Sequence, residues 1–138
     1  MTRTIPPALR ARVADRANHR CEFCGLAQAG QEATFHVDHL IPRVAAGAPE
    51  EDNLALACVG CSLRKGARQR AVDPATGEQV TLFNPRGERW LEHFRVDGFV
   101  IEGVTPTGRA TVEALALNRP LMVAIREEQA LIGRRPPA

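Results

Sequence analysis

Long apolar runs are missing from this 138-residue chain. None approaches the roughly 18 residues that a membrane-crossing helix needs, so no membrane association is expected. Nothing in the opening residues resembles a signal peptide, so no secretory leader is expected. The opening stretch MTRTIPPALRARVADR is polar and Arg-rich and lacks an apolar segment of signal-peptide length, which makes a cytoplasmic protein the expectation. No internal repeat or low-complexity tract is present. Net charge is only +2, which by itself points to no partner. Lysine is nearly absent: of eighteen basic residues only Lys65 is lysine. Arginine suits bidentate contact with phosphate, although Arg and Ala richness equally follows from a GC-rich genome. With 44% hydrophobic content, the chain is long enough for one soluble domain with a modest core, and no second domain is required.

Cysteine is scarce as well, but its four copies are not scattered. Cys21 and Cys24 form CEFC, and Cys58 and Cys61 form CVGC. A CxxC turn lets two thiolates point at one ion, and two such turns supply the four soft ligands of a closed, tetrahedral zinc site. Disulfides are the competing reading, and an opening unlike a signal peptide weighs against them. The 33 residues from Gly25 to Ala57 exceed the usual spacing between paired zinc knuckles, so the intervening chain has work of its own. A catalytic zinc is disfavoured, because four cysteines leave no open coordination position.

That intervening chain reads FHVDHLIPRVAAGAPEEDNLALA from Phe35. Residues Ala33 to Ile41 read as a strand closed by Pro42. Alternation puts His36 and Asp38 on one face and His39 on the other, so a bend or twist near His39 is expected if all three serve one site. A loop with Gly47 and Pro49 follows, and the Asn53 amide is placed to tie it back to the strand. Leu54 to Ala57 is a short return strand. Ser62 to about Gln69 reads as a helix, with Ser62 as a local cap. The order strand, loop, strand, helix is a ββα arrangement. Before it, Pro6 to His19 reads as an amphipathic helix with Leu9, Val13 and Ala17 in step. Arg10, Arg12, Arg16 and Arg20 there read as a solvated face, with contact to DNA phosphates the alternative, and His19 as structural or surface. Gly25 suits the positive φ of the first knuckle's turn.

Past the second knuckle, Asp73-Pro74-Ala75-Thr76-Gly77 signals a turn and Gln79 to Phe83 a strand. A strand pair is expected from Phe94 to Val104 around Asp97-Gly98, then helices from Thr107 to about Leu117 and from Pro120 to about Leu131. Trp90, Phe94 and Phe99 are expected to pack this half onto the core, and His93 to be structural. Residues 1–70 carry ten basic against seven acidic side chains, and 71–138 eight against nine, so the basic excess lies with the metal motifs.

The ordered run of CxxC, HxDHxxPR, NLALxC, CxxC and a following Lys resembles the HNH endonucleases of the four-cysteine kind. DPATG, LFNPR, RWLEHF and TPTGRAT resemble the C-terminal extension of one bacterial HNH subgroup. The resemblance implies an α+β fold. Its zinc-stabilised, treble-clef-like ββα-metal core spans about residues 21–70, with an N-terminal helix and a C-terminal β/α extension over about 71–138, in a single domain.

Phosphodiester cleavage needs a deprotonated water, charge stabilisation on the phosphate and help for the leaving oxygen. His39 is the candidate general base, and Asp38 a hard oxygen ligand for a catalytic Mg²⁺ or Mn²⁺. By resemblance, Asn53 is the middle Asn of the HNH name, and His36 matches an extra histidine that binds phosphate or assists the metal. Where the family has a second metal-ligating Asn, this chain has Ser62, whose hydroxyl can ligate Mg²⁺ as in P-loops but reaches less far. Arg43, Arg64, Lys65, Arg68 and Arg70 are the candidate contacts to DNA, or to RNA. The alternative is a catalytically impaired, zinc-stabilised nucleic-acid-binding module. A zinc scaffold that binds only protein is disfavoured, because it has no need of Asp38 and His39.

Overall fold

The computed structural model describes residues 5–133; residues 1–4, part of the polar opening stretch read above, lie outside the described residues. Helix α1 spans Pro7–Arg16 and opens on proline, whose fixed φ and missing N–H cost nothing in a first turn. It buries Leu9 and Val13, the face expected from the four-residue step. The chain then enters the first knuckle, where Gly25 takes a φ of 78°.

Strand β1 (His36–His39) pairs antiparallel with β2 (Leu54–Ala57), His36 opposite Ala57 and His39 opposite Leu54. The strand is shorter than expected because side-chain amides take over at both ends. Gln28 Oε1 accepts the Phe35 N–H at 2.7 Å, and Asn53 Oδ1 accepts that of Ile41 at 2.8 Å. Register is continuous through His39, and Leu40 N–H still reaches Asn53 O at 2.8 Å.

Helix α2 spans Val59–Lys65, and its cap is Cys58, whose Sγ accepts from the Cys61 N–H. Ser62 is therefore not a cap but sits inside the helix. Gly66, at φ 53°, ends α2 three residues before Gln69, the position expected from the sequence. Arg68 consequently lies in a turn and Arg70 on a strand. That strand, β3 (Arg70–Val72), pairs with β4 (Gln79–Thr81). A pairing partner nine residues downstream outweighs the helical pattern of the basic residues.

A short helix α3 (Trp90–His93) leads into the hairpin of β5 (Phe94–Asp97) and β6 (Val100–Gly103), turned at Gly98 with φ 63°. Helices α4 (Pro106–Ala114) and α5 (Pro120–Leu131) follow; α5 spans the expected residues, whereas α4 stops three residues short of Leu117. None of the described helices is long and apolar enough to cross a membrane.

One hydrophobic cluster draws on α1, both knuckles, β2 and the later elements, joining Val13, Phe23 and Leu54 to Phe83, Phe94, Ile101 and Met122. Phe83 meets Phe23 and Phe94 edge-on at 6.4 and 5.3 Å, and Trp90 stacks at a tilt on Phe94 at 4.9 Å. Phe99 is only half-buried, and its carbonyl serves a hydrogen bond instead. His93 is structural, held by Thr105 Oγ1 at 2.6 Å and Glu88 Oε2 at 2.8 Å.

The turn beginning at Asp73 is pinned to α4. Asp73 accepts the Ala75 N–H and the Thr76 hydroxyl, each at 3.0 Å, and takes Arg109 through both oxygens at 2.9 and 2.8 Å. The Arg109 guanidinium holds its carboxyl well below the usual carboxylate range. A carboxyl depressed in the folded state contributes stability above its unfolded value of about 3.9, and that contribution is lost as pH falls through the folded value. Asp73→Asn is therefore expected to flatten the fall in melting temperature between pH 5 and pH 2. An unchanged acid limb in thermal melts would sink that assignment.

Candidate metal centre and active site

The four cysteines are brought to one place. Cys21, Cys24, Cys58 and Cys61 are all buried and free, with their Sγ atoms within 4.8 Å of one another. Cys24 and Cys58 are 3.7 Å apart, far beyond the roughly 2.05 Å of a disulfide and close to the ~3.8 Å edge of a sulfur tetrahedron built on 2.3 Å zinc bonds. The disulfide alternative is thereby overturned.

Each knuckle folds alike: the Cys24 N–H points at Cys21 Sγ and the Cys61 N–H at Cys58 Sγ, both at 3.5 Å. Hydrogen bonding to Cys21 and Cys58, with burial, pushes Cys24 up, and bonding to Cys21, Cys24 and Cys58, with burial, pushes Cys61 up, while donation from Cys21 and its neighbours holds Cys58 down. Four thiols this crowded release their protons together only to a cation, and the donor set fits zinc.

On the α2-facing side of β1, His36, Asp38 and Ser62 meet. Ser62 Oγ donates to Asp38 Oδ1 at 2.9 Å and lies 2.8 Å from His36 Nδ1. A hydroxyl has one proton, and Asp38 takes it. His36 Nδ1 must then carry the ring proton and donate to Ser62, which leaves the neutral ring's lone pair on Nε2. All three residues are half-buried.

Lys65, expected among the phosphate-facing cations, is instead only 3% exposed, and its ammonium donates to the His39 carbonyl at 3.3 Å. Burial pulls that ammonium below its usual range, opposed by the nearby Asp38 charge. Its reach runs inward because α2 packs on β1, which no local pattern reveals. Arg43, Arg64, Arg68 and Arg70 are exposed, Arg68 also donating to the Arg64 and Ala114 carbonyls.

His39 closes β1, its Nε2 buried, on the face opposite Asp38 by alternation. Beyond it the loop is drawn in by Asn53, whose Nδ2 donates to the Ile41 and Ala48 carbonyls at 3.1 and 2.9 Å. Gly47 is needed there, since a Cβ would overlap the Ile41 carbonyl.

Two buried knuckles bracket the β1–β2 pair, with Asp38, His39 and Asn53 between them and α2 growing out of the second. Residues 21–68 match the HNH endonuclease family model. The HNH segment takes in both knuckles, β1, β2 and α2, about a third of the chain, and leaves α1 and everything from Gln69 onward outside. Neither the curated proteins nor the solved structures compared with the chain give a match. An HNH segment implies a nucleic-acid substrate in general.

Among the described residues the four cysteines are the only group of three or more His, Cys, Asp or Glu side chains placed to hold a metal. A second ion in the HNH segment would have Asp38 as its one carboxylate, with His36 and Ser62 beside it. That set fits Mg²⁺ or Mn²⁺, which keep several waters and share themselves with substrate phosphate.

The arginines on α1 and just after it mostly serve the protein. Arg12 pairs with Glu51 at 2.9 Å, Arg16 donates to the Glu51 and Leu54 carbonyls, and Arg20 to that of Gly25. His19 pairs with Asp15 on the surface.

Proposed function

We propose that the protein is a metal-dependent endonuclease hydrolysing phosphodiester bonds in DNA, with zinc as the structural ion of the four-cysteine site. The observation that carries this reading is the hydrogen-bonded row His36, Ser62, Asp38, with His39 next on the same strand, inside the HNH segment.

Asp38 would hold Mg²⁺ or Mn²⁺, with Ser62 orienting its carboxylate. When bound, the divalent ion supplies charge neutralisation at the scissile phosphate and the leaving 3′ oxygen. His39 takes the proton of the attacking water. Its backbone is held from one side by Lys65 and on the other by the Asn53-tied loop, which fixes where the ring begins. Exposed Arg43, Arg64, Arg68 and Arg70 meet backbone phosphates and add affinity without sequence preference.

A second reading exchanges the histidines. His36 has its tautomer set so that Nε2 is an acceptor, whereas His39 Nε2 is buried, and both features favour His36 as the proton acceptor. In either reading Ser62 acts by orienting Asp38 and His36 as well as by any ligation. Ser62→Asn is expected to keep or raise cleavage, because an amide offers a donor to Asp38 and an acceptor to His36. Ser62→Ala removes both and should lower the rate about 10- to 100-fold. Equal rates for Ser62→Ala and the parent would remove the orienting role.

The test of the function is cleavage of supercoiled plasmid by zinc-loaded protein in Mg²⁺, Mn²⁺ or EDTA. Cutting that depends on the divalent ion is the expected result. Plasmid retarded on a gel but never cut would replace the nuclease with the nucleic-acid-binding module.

A further inference from the structure

Two guanidiniums from outside residues 21–68 act on the four-cysteine cluster, Arg119 by lying on the second knuckle and Arg126 through its charge. Arg126, on α5, is 1% exposed. Its Nε donates to the Phe99 carbonyl at 2.8 Å, and its Nη2 to the Leu117 carbonyl at 2.6 Å and Asn118 Oδ1 at 3.0 Å. Its buried Nη1 has no hydrogen-bond partner. Arg119, the residue before α5, lays its guanidinium on Gly60, between Cys58 and Cys61, where any side chain would collide with it. Helix α5 is bound to the first knuckle too: Gln129 Oε1 accepts the Ala27 N–H and its Nε2 donates to the Ala27 carbonyl, both at 3.1 Å.

Neither Arg119 nor Arg126 has a carboxylate ion pair among the described residues. Burial is the main pull against the Arg126 charge and Arg119 adds repulsion, while Cys24, Cys61 and Cys58 favour it. A buried guanidinium without an opposite charge is costly, and a second one close by raises the cost. Four thiolates around a divalent zinc carry a net double negative charge, and the two arginines carry a double positive one.

We propose that the metal centre extends beyond its four cysteines to Arg126 and Arg119, the counter-charges of a zinc tetrathiolate, so that metal retention depends on helix α5. The inference rests on zinc occupying the four-cysteine site, as read above. It makes the far C-terminal part of the chain an outer layer of a site whose ligands all lie within the HNH segment.

The experiment uses the full-length, zinc-loaded protein. Zinc content is measured by mass spectrometry, and zinc affinity by competition with a chromogenic chelator, for the parent, Arg126→Met, Arg119→Met and Arg126→Lys. Both methionine variants are expected to lose about tenfold or more in zinc affinity, the size typical of outer-layer changes at metal sites. Arg126→Lys, which keeps the charge but not the fork of hydrogen bonds, is expected to recover most of that loss. Unchanged affinity in the methionine variants overturns the proposal, as does a lysine variant no better than methionine. If Arg126→Met fails to fold, the half-buried Arg119 decides through its own variant. A parent protein that carries no zinc overturns the metal reading itself, a result distinct from zinc that is present and indifferent to the arginines.

Discussion

Cys58→Ser is expected to cost the protein its cooperative unfolding transition, not merely its metal. Cys58 does three jobs at once. It is one of four thiols within 4.8 Å, it caps α2 by accepting the Cys61 N–H, and it follows directly on β2, every residue of which is buried. Structural zinc in small domains supplies on the order of 10 to 16 kcal/mol of apparent binding energy at neutral pH. Whole domains are stable by only about 5 to 15 kcal/mol, so losing the ion removes a quantity comparable with the total. Circular dichroism melts of Cys58→Ser, and of the parent after prolonged chelation, should both lack a sharp transition. A serine variant that binds no zinc yet melts like the parent would show that the hydrophobic cluster alone holds the fold.

The second large effect concerns rate. His39→Ala is expected to reduce plasmid cleavage by about 10²- to 10⁴-fold, the usual contribution of a positioned general base, with zinc content and melting temperature unchanged. The backbone tie at this position survives the change, because Lys65 bonds the His39 carbonyl. His36→Ala, measured beside it, separates the two readings of the site. Loss confined to the His39 variant leaves His36 with phosphate or the metal. Loss confined to the His36 variant moves the base to the residue whose tautomer Ser62 sets. Asp38→Ala should abolish divalent-dependent cleavage in both cases.

Much of the fold was legible because the signals were local. The two CxxC turns, the proline openings of α1 and α5, and the Asp97-Gly98 hairpin each draw on a few neighbouring residues. The end of α2 was less legible, since Arg64 to Arg70 look alike in sequence while Gly66 turns the chain and β4 captures Arg70. For the candidate site, alternation placed His36 with Asp38, and the structure adds Ser62 as the hydroxyl between them, a contact spanning 24 and 26 residues. Lys65 was misjudged for a related reason. Lysine is ordinarily exposed, and only the packing of α2 against β1 makes this one an internal donor. Arg126 gave no signal at all, because a buried guanidinium is recognisable only once its oxygen partners are assembled from two separate segments, at Phe99 and at Leu117–Asn118.

The single tryptophan has a practical consequence. Trp90 Nε1 donates to the Phe23 carbonyl at 2.8 Å, and Phe23 sits inside CEFC, next to Cys24. Its indole is thus wired to the backbone of the first knuckle while stacked on Phe94. Emission from this one fluorophore should shift when the knuckle loosens, giving the protein a built-in optical gauge of its own metal occupancy, readable without label or dye.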